Sequence, residues 1–170
     1  MRESTVNPLV SIIVRTKDRP KLLKRALRSI AEQTHRPIEV VLVNDGGCDL
    51  GVEEVQGVLS DVRLNYIRLE ENTGRAHAGN VGIENAKGEY LGFLDDDDSF
   101  YVDHLSTILG VVNSRDWKVA YSDAHIAYLD LCSQDGEIKV KDRELFSSKD
   151  FSYTELLIDN YIPLICIVFS

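Results

Sequence analysis

The stretch Gly88-Glu-Tyr-Leu-Gly-Phe-Leu-Asp-Asp-Asp-Asp-Ser-Phe100 decides how this chain is read. An apolar run, Tyr90 to Leu94, has the composition of a buried strand and empties directly into four consecutive aspartates. Between Glu89 and Asp103 there are six acids and no Lys or Arg. Like charges this close raise one another's pKa and repel unless a cation joins them. Oxygen-only ligands at a strand end suit a hard divalent ion, Mg²⁺ or Mn²⁺, which takes the rest of its shell from water and phosphate oxygens. Asp95 to Asp98 are therefore expected to form a metal-diphosphate site. The plainer alternative is a solvated acidic turn capping a helix that begins near Val102.

Upstream, the chain repeats one pattern. Leu9 to Val14 is a short β-branched run of the kind covered on both faces, and it ends at Arg15-Thr-Lys-Asp-Arg-Pro20. Pro20 suits the first turn of a helix that places Leu22, Leu23, Ala26, Leu27 and Ile30 on one face and Lys21, Lys24, Arg25 and Arg28 on a solvated one. Ile38 to Val43 is a second strand delivering Asn44-Asp-Gly-Gly47, and Val52, Val55 and Leu59 mark a short helix. Leu64 to Leu69 is a third strand, followed by Glu70-Glu-Asn-Thr-Gly-Arg75. A small-residue helix then runs from about Ala76 to Ala86, with Gly79 and Gly82 permitting close packing on the sheet. After the aspartates, Val102, Leu105, Leu109 and Val112 fall on one helical face. The order βαβαβαβα builds a parallel sheet with helices on both faces, whose ligands bind outside the carboxyl ends of the strands. The polar clusters at Thr16, Asp45, Asn72 to Arg75 and Asp95 to Asp98 all fall at such ends.

Beyond Trp117 the rhythm changes. Val119 to Asp123 begins a strand, Ile126 to Leu129 and Glu137 to Val140 read as a hairpin around the turn Cys132-Ser-Gln-Asp-Gly136, and Asp142 to Ser152 is charged and irregular. A brief helix near Thr154 to Ile158 precedes an apolar strand, Ile162 to Phe169. Ending on a strand of buried type leads to the expectation of a fragment of something longer, with that strand short of neighbours. The 170 residues, 44% of them hydrophobic, suffice for one domain with a sizeable core. Nineteen basic against 28 acidic residues leave a net charge of -9, which opposes binding to nucleic acid or anionic lipid. Cys48, Cys132 and Cys166 share no CxxC spacing, which fits reduced thiols and argues against zinc. No apolar run reaches 18 residues, and Met1-Arg-Glu-Ser-Thr5 lacks the apolar core of a signal peptide. A cytoplasmic chain, or one peripheral at the inner face of a membrane, is the expectation.

Chemically, Asp45 is suited to accept an imide N–H from a nucleotide base, its alternative being an ordinary Asn-Asp-Gly turn. Arg75, beside Gly74, suits a base or phosphate and would otherwise be a surface arginine. His77 and His104 lack any ligand spacing and are read as structural.

Four segments, Val10 to Pro20, Val43 to Gly47, Asn72 to Gly82 and Gly88 to Asp98, together resemble the family 2 glycosyltransferases of the GT-A fold, in order and spacing over about Leu9 to Leu109. The resemblance implies an inverting enzyme that takes a sugar from a nucleotide-diphosphate donor with Mg²⁺ or Mn²⁺ and passes it to a hydroxyl of a glycan, lipid-linked or other acceptor. Residues 8–115 would be the nucleotide-sugar-binding half of a single domain and 116–170 part of its acceptor side. By position, Arg15, Thr16 and Asp18 would line the nucleotide pocket, Asp45 would bind the base, and Gly74 and Arg75 would lie near it. Asp95 and Asp96 would meet the ribose and sugar phosphate, and Asp97, with Asp95, would ligate the metal. Gly79 stands where the family usually has Arg, and Val102 where Pro is usual. The family's general base lies in a motif after the last strand, beyond Ser170, so this chain is expected to bind donor without transferring it. Asp123 and Asp159 are the remaining acids to nominate, and neither matches that motif. Two other readings are a non-catalytic nucleotide-sugar-binding or scaffold module, and a phospho-acceptor receiver. The receiver needs its acids after the first and third strands, whereas here they follow the fourth.

Overall fold

The computed structural model describes residues 7–115, 117–130 and 138–170. Met1 to Thr5, Cys132, the turn expected at 132–136 and Glu137 lie outside the described residues. The elements in chain order are β1 (Val10–Thr16), α1 (Pro20–Ala31), β2 (Ile38–Asp45), α2 (Val52–Leu59), β3 (Arg63–Leu69), α3 (Arg75–Glu84), β4 (Tyr90–Asp95), α4 (His104–Arg115), β5 (Val119–Tyr121), β6 (Ala124–Asp130), β7 (Lys139–Ser147), α5 (Tyr153–Leu156) and β8 (Ile167–Phe169). The main sheet has the order β3-β2-β1-β4-β8-β5, and β6 and β7 form a separate antiparallel pair.

Because successive side chains on a strand face opposite ways, each central strand feeds two cores. Val10, Ile12 and Val14 of β1 join Val40 and Leu42 of β2 beneath α1, α2 and α4, while Ile13, Val41, Val43 and Phe93 pack with Ala78 of α3 on the other face. β1 pairs in parallel with β2 on one side and β4 on the other. The chain runs outward to β3 before returning to β4, so strand order reverses between β1 and β4, the place where such sheets open a crevice at their carboxyl ends. At the opposite end of the sheet, the buried Glu39 carboxylate accepts from Ser11 Oγ (2.6 Å) and Lys87 N (2.6 Å), and Ser11 Oγ in turn accepts from Gly88 N (2.7 Å).

The second half departs from the sequence reading in several ways. The apolar run expected as one strand over Ile162 to Phe169 breaks after Pro163 into a 3₁₀ turn at Leu164–Cys166, and only Ile167–Phe169 is extended. That strand is not short of neighbours: β8 lies antiparallel between β4 and β5 and hydrogen-bonds to both. The charged stretch expected to be irregular from Asp142 is instead largely strand, because β7 pairs with β6 from Ala124/Ser147 to Asp130/Lys139. Backbone pairing fixes this hairpin, with its side chains mostly in solvent. Val102 is not on the face of α4. It is 55% exposed, two residues before the helix, and its carbonyl accepts from Thr34 N (2.9 Å). Gln33 sets the true start: its Nε2 donates to Tyr101 O (2.7 Å) and its Oε1 accepts from Leu105 N (3.1 Å), capping α4 from the end of α1.

Close packing of α3 on β1 requires Gly82, since a Cβ there would sit 2.3 Å from Ile13 Cγ2, whereas at Gly79 the nearest atom is an ordinary 3.5 Å away. Gly110 of α4 faces open space. Gly82→Ala is expected to destabilise the protein by about 1–3 kcal/mol through overpacking. Gly110→Ala should instead stabilise it by up to ~1 kcal/mol through helix propensity. Urea denaturation of the two variants against the parent checks both signs.

Candidate functional site

The acid run leaves β4 at the point of strand reversal, and its four carboxylates diverge. Asp98 N donates to Asp95 O (3.0 Å), closing a tight turn that leaves Asp96 buried, Asp95 and Asp98 half-buried and Asp97 exposed. The acids are not without cations, as their own segment had implied. Three arginines reach them from β1 and α1. Arg15 donates through Nε (3.2 Å) and Nη2 to Asp95 Oδ1. It also donates through Nη1 to the carbonyl of Arg75 (3.1 Å) and lies 5.4 Å from the centre of the Phe93 ring. Arg19 bridges two acids, with Nη1 2.8 Å from Asp97 Oδ2 and Nη2 3.1 Å from Asp96 Oδ1. Arg25 donates Nη2 to the carbonyl of Asp97. Read from the sequence, Arg25 belonged to a solvated face and Arg19 had no role. Their signal was charge complementarity between the segment after β1 and the segment after β4, which only the strand order makes adjacent.

Thr16 Oγ1 donates to Asp96 Oδ2 at 2.6 Å, joining the ends of β1 and β4 directly. Asp96 Oδ1 is buried and makes no hydrogen bond, the Arg19 contact being an ion pair off the hydrogen-bond direction. Burial pushes the Asp96 carboxyl up, against the opposing pull of Thr16 and Arg19. Burial, then the charges of Asp97 and Asp95, push Asp98 up to about 6. Burial also lowers Arg25, with Asp98 and Asp97 opposing.

The second strand's loop is built around Asp45. Burial works to raise its pKa, but hydrogen bonds from Thr73 and Gly74 outweigh it and hold the carboxyl below the usual range. Oδ1 accepts from Thr73 N (2.7 Å) and Thr73 Oγ1 (2.9 Å), and Oδ2 from Gly74 N (3.0 Å), so Asp45 shapes the loop that leads into α3. Gly46, at φ +70°, is obligatory: a Cβ would lie 2.3 Å from the carbonyl carbon of Glu71. Asp18, at φ 54°, accepts from Cys48 N (2.7 Å), which lowers its pKa and ties the β1 loop to the β2 loop. Gly74 starts α3, and the exposed side chain of Arg75 makes no ion pair among the described residues. Arg15, Thr16, Asp18, Asp45, Gly74, Arg75, Asp95, Asp96 and Asp97 therefore share one rim.

Beside Asp97 and Asp98 opens a cavity of about 420 Å³, walled by Tyr101 and His104 before and at the start of α4, by the β6–β7 hairpin and by the segment before β8. Its wall includes Asp123, whose Oδ2 accepts from Ser148 Oγ (3.1 Å), whereas Asp159 is not on it. His104 stacks on Phe100 at 4.3 Å, and burial lowers its pKa to about 4, which keeps it neutral at pH 7. Cys48 and Cys166 are free thiols.

For a divalent ion the residues present fit, as partial ligands. Among the described residues no three acid, histidine or cysteine side chains form a metal cage. Both Arg15 contacts to Asp95 fall on Oδ1 and that of Arg19 to Asp97 on Oδ2, which leaves one oxygen of each acid without a protein partner among the described residues. The guanidinium of Arg19 already stands between Asp96 and Asp97 as a cation would. The donor set is all oxygen, as a hard cation that keeps water and phosphate ligands requires.

One consequence of this packing is measurable without any ligand. An acid whose folded pKa is raised from 3.8 to about 6 holds its proton in the folded state after the unfolded chain has lost it. The contribution of Asp98 to stability is therefore fully present below about pH 4 and is lost as pH rises to about 6. Asp98→Asn should flatten that fall, leaving the variant more stable than the parent at pH 7 and similar to it near pH 4, as read by denaturation at the two pH values.

The glycosyl transferase family 2 model matches residues 11–121. An uncharacterised glycosyltransferase of Rickettsia bellii is 37% identical over 115 residues, 66% of this chain and 16% of that protein. The crystal structure of residues 1–349 of S. aureus TarS in complex with UDP-GlcNAc superimposes with a TM-score of 0.60 at 28% identity, covering 65% of this chain and 32% of that one. The mannosyltransferase PcManGT from Pyrobaculum calidifontis, in complex with GDP-Man and Mn²⁺, gives 0.61 at 26% identity, covering 68% and 35%. The chain thus spans about a third or less of the length of each of these proteins. It belongs to glycosyl transferase family 2 and has the mostly parallel α/β sheet of the GT-A fold.

Proposed function

We propose that this chain carries the donor site of an inverting glycosyltransferase, with residues 8–115 binding a nucleotide-diphosphate sugar and 116–170 contributing to the acceptor side. The observation that carries the reading is the meeting, at the strand reversal, of the acid run with loops 16–18, 45–47 and 72–75 on one rim, a cavity opening beside it. The relatives' ligands support it: a UDP-sugar in one neighbour and GDP-Man with Mn²⁺ in the other.

In this reading Asp45 receives the base. Its Oδ1 accepts two hydrogen bonds and Oδ2 only one, so Oδ2 keeps a lone pair for an imide N–H. Arg15 orients Asp95 through Oδ1 toward the ribose and sugar phosphate, while Asp96, held by Thr16 and 1% exposed, supports it from inside the protein. Asp97 and Asp95 would hold Mg²⁺ or Mn²⁺, whose charge would offset that of the departing diphosphate. The cavity beyond Asp98 receives the acceptor hydroxyl. Inversion requires one carboxylate to take that hydroxyl's proton, and of the two acids nominated from the sequence only Asp123 lies on the cavity wall.

A thermal-shift series with UDP, GDP and dTDP, each with and without Mn²⁺, tests the donor site. Metal and nucleoside diphosphate together should stabilise the fold more than either alone, by about 2.7 kcal/mol at 100 times the dissociation constant. Asp97→Ala should lose the metal-dependent part and leave the unliganded protein folded. Equal shifts with and without metal would remove the metal from the reading. In whatever form of the protein transfers sugar, Asp123→Asn separates base from bystander: donor binding persists, and transfer falls about 10²–10⁴-fold only if Asp123 takes the proton.

A further inference from the structure

Of the three arginines facing the acid run, two are fixed and one is not. The Arg15 side chain is 12% exposed and held by Asp95, the Arg75 carbonyl and the Phe93 face. Arg25 is half-buried against the Asp97 carbonyl. Arg19 is 50% exposed, and among the described residues its guanidinium pairs with the carboxylates of Asp96 and Asp97. It occupies the N-cap position of α1, where a guanidinium, having no acceptor, cannot cap the helix. The residue before it, Asp18 at φ 54°, accepts from Cys48 N. Asp96 Oδ1, facing Arg19, is the buried oxygen with no hydrogen bond.

Resting on the donor-site reading above, we propose that Arg19 is a displaceable internal cation. Without metal it neutralises Asp96 and Asp97. When a divalent ion takes Asp97, Arg19 loses that partner and turns outward to the diphosphate. Two opposite effects follow from one side chain: Arg19 competes with the metal when the metal is alone and assists the nucleotide when metal and nucleotide are together. The stem is long and half in water, so the exchange needs only rotamer changes.

The test uses this chain with Arg19→Gln and Arg19→Lys. Mn²⁺ binding is read by the loss of the free-ion electron paramagnetic resonance signal, and UDP and GDP binding by calorimetry in saturating Mn²⁺. For a half-exposed ion pair, Arg19→Gln should bind Mn²⁺ alone about fivefold more tightly. Losing a charge-assisted contact to the diphosphate, it should bind the preferred nucleoside diphosphate about tenfold more weakly. Arg19→Lys, which keeps the charge without the planar fork, should fall between. The gain in Mn²⁺ affinity should vanish when Asp97→Ala is added. Unchanged or weaker Mn²⁺ binding by Arg19→Gln overturns the proposal, as does unchanged nucleotide affinity, while the donor site stands if the parent binds both. Absence of Mn²⁺ and nucleotide binding in parent and variants alike overturns the donor-site reading, and the role of Arg19 with it.

Discussion

Four carboxylates leaving one strand end must be kept apart and supplied with positive charge, and this requirement governs the carboxyl edge of the sheet. Charge alone does not do it, because Asp96 is inside the protein. Its Oδ2 is satisfied by the Thr16 hydroxyl at 2.6 Å, a bond that only a neighbouring parallel strand ending at the same level can offer. A hydrogen bond to a charged group contributes on the order of 1.5–3 kcal/mol, and losing the donor would leave a buried oxygen unsatisfied. The pairing of β1 with β4 and the position of the acids are thus one constraint seen twice. The arginines follow from it, since the connection leaving β1 is the nearest chain to the acids.

The same edge is built with two kinds of loop. Those after β2 and β3 are closed upon each other: Asp45 takes three hydrogen bonds from residues 73 and 74, and Gly46 lies so close to residues 71 and 72 that no side chain fits. The segments after β1 and β4 are joined mainly through long side chains, which can exchange partners at little cost in packing. The edge therefore has a stiff half and an adjustable half. Further along, the cavity under the β6–β7 hairpin gains a neutral imidazole from His104, whose burial disfavours the charged form.

The first four strands and helices were legible because their patterns are strong: Val10 to Val14 and Ile38 to Val43 are largely β-branched runs, each broken by one polar residue, and buried on both faces. The rim was legible for the same reason, since polar residues at four strand ends must share one edge. The failures have physical causes. Pro163 and the turn after it cut an apolar run that composition alone reads as one strand, and an antiparallel strand entering beside β4 leaves no local mark. β7 is charged at Lys139 and from Lys141 to Glu144 and is held by its partner's backbone, which no pattern of side chains reveals. Arg25 looked solvated because its own helix face is basic. What it meets lies more than 70 residues away.

At the far end of the sheet, the Glu39 carboxylate buried between Ser11 and Lys87 acts as a check on alignment. Side chains on a strand alternate between faces, so a slip of β2 by one residue would turn Glu39 away from both donors and leave the Lys87 amide and the Ser11 hydroxyl without this acceptor. Its partners come from segments 28 and 48 residues away in sequence, so the three bonds close only when β1, β2 and the approach to β4 are all in place. An error in strand pairing is therefore penalised at the base of the sheet by bonds separate from those that hold the rim, so the adjustable rim does not have to enforce the register of its own scaffold.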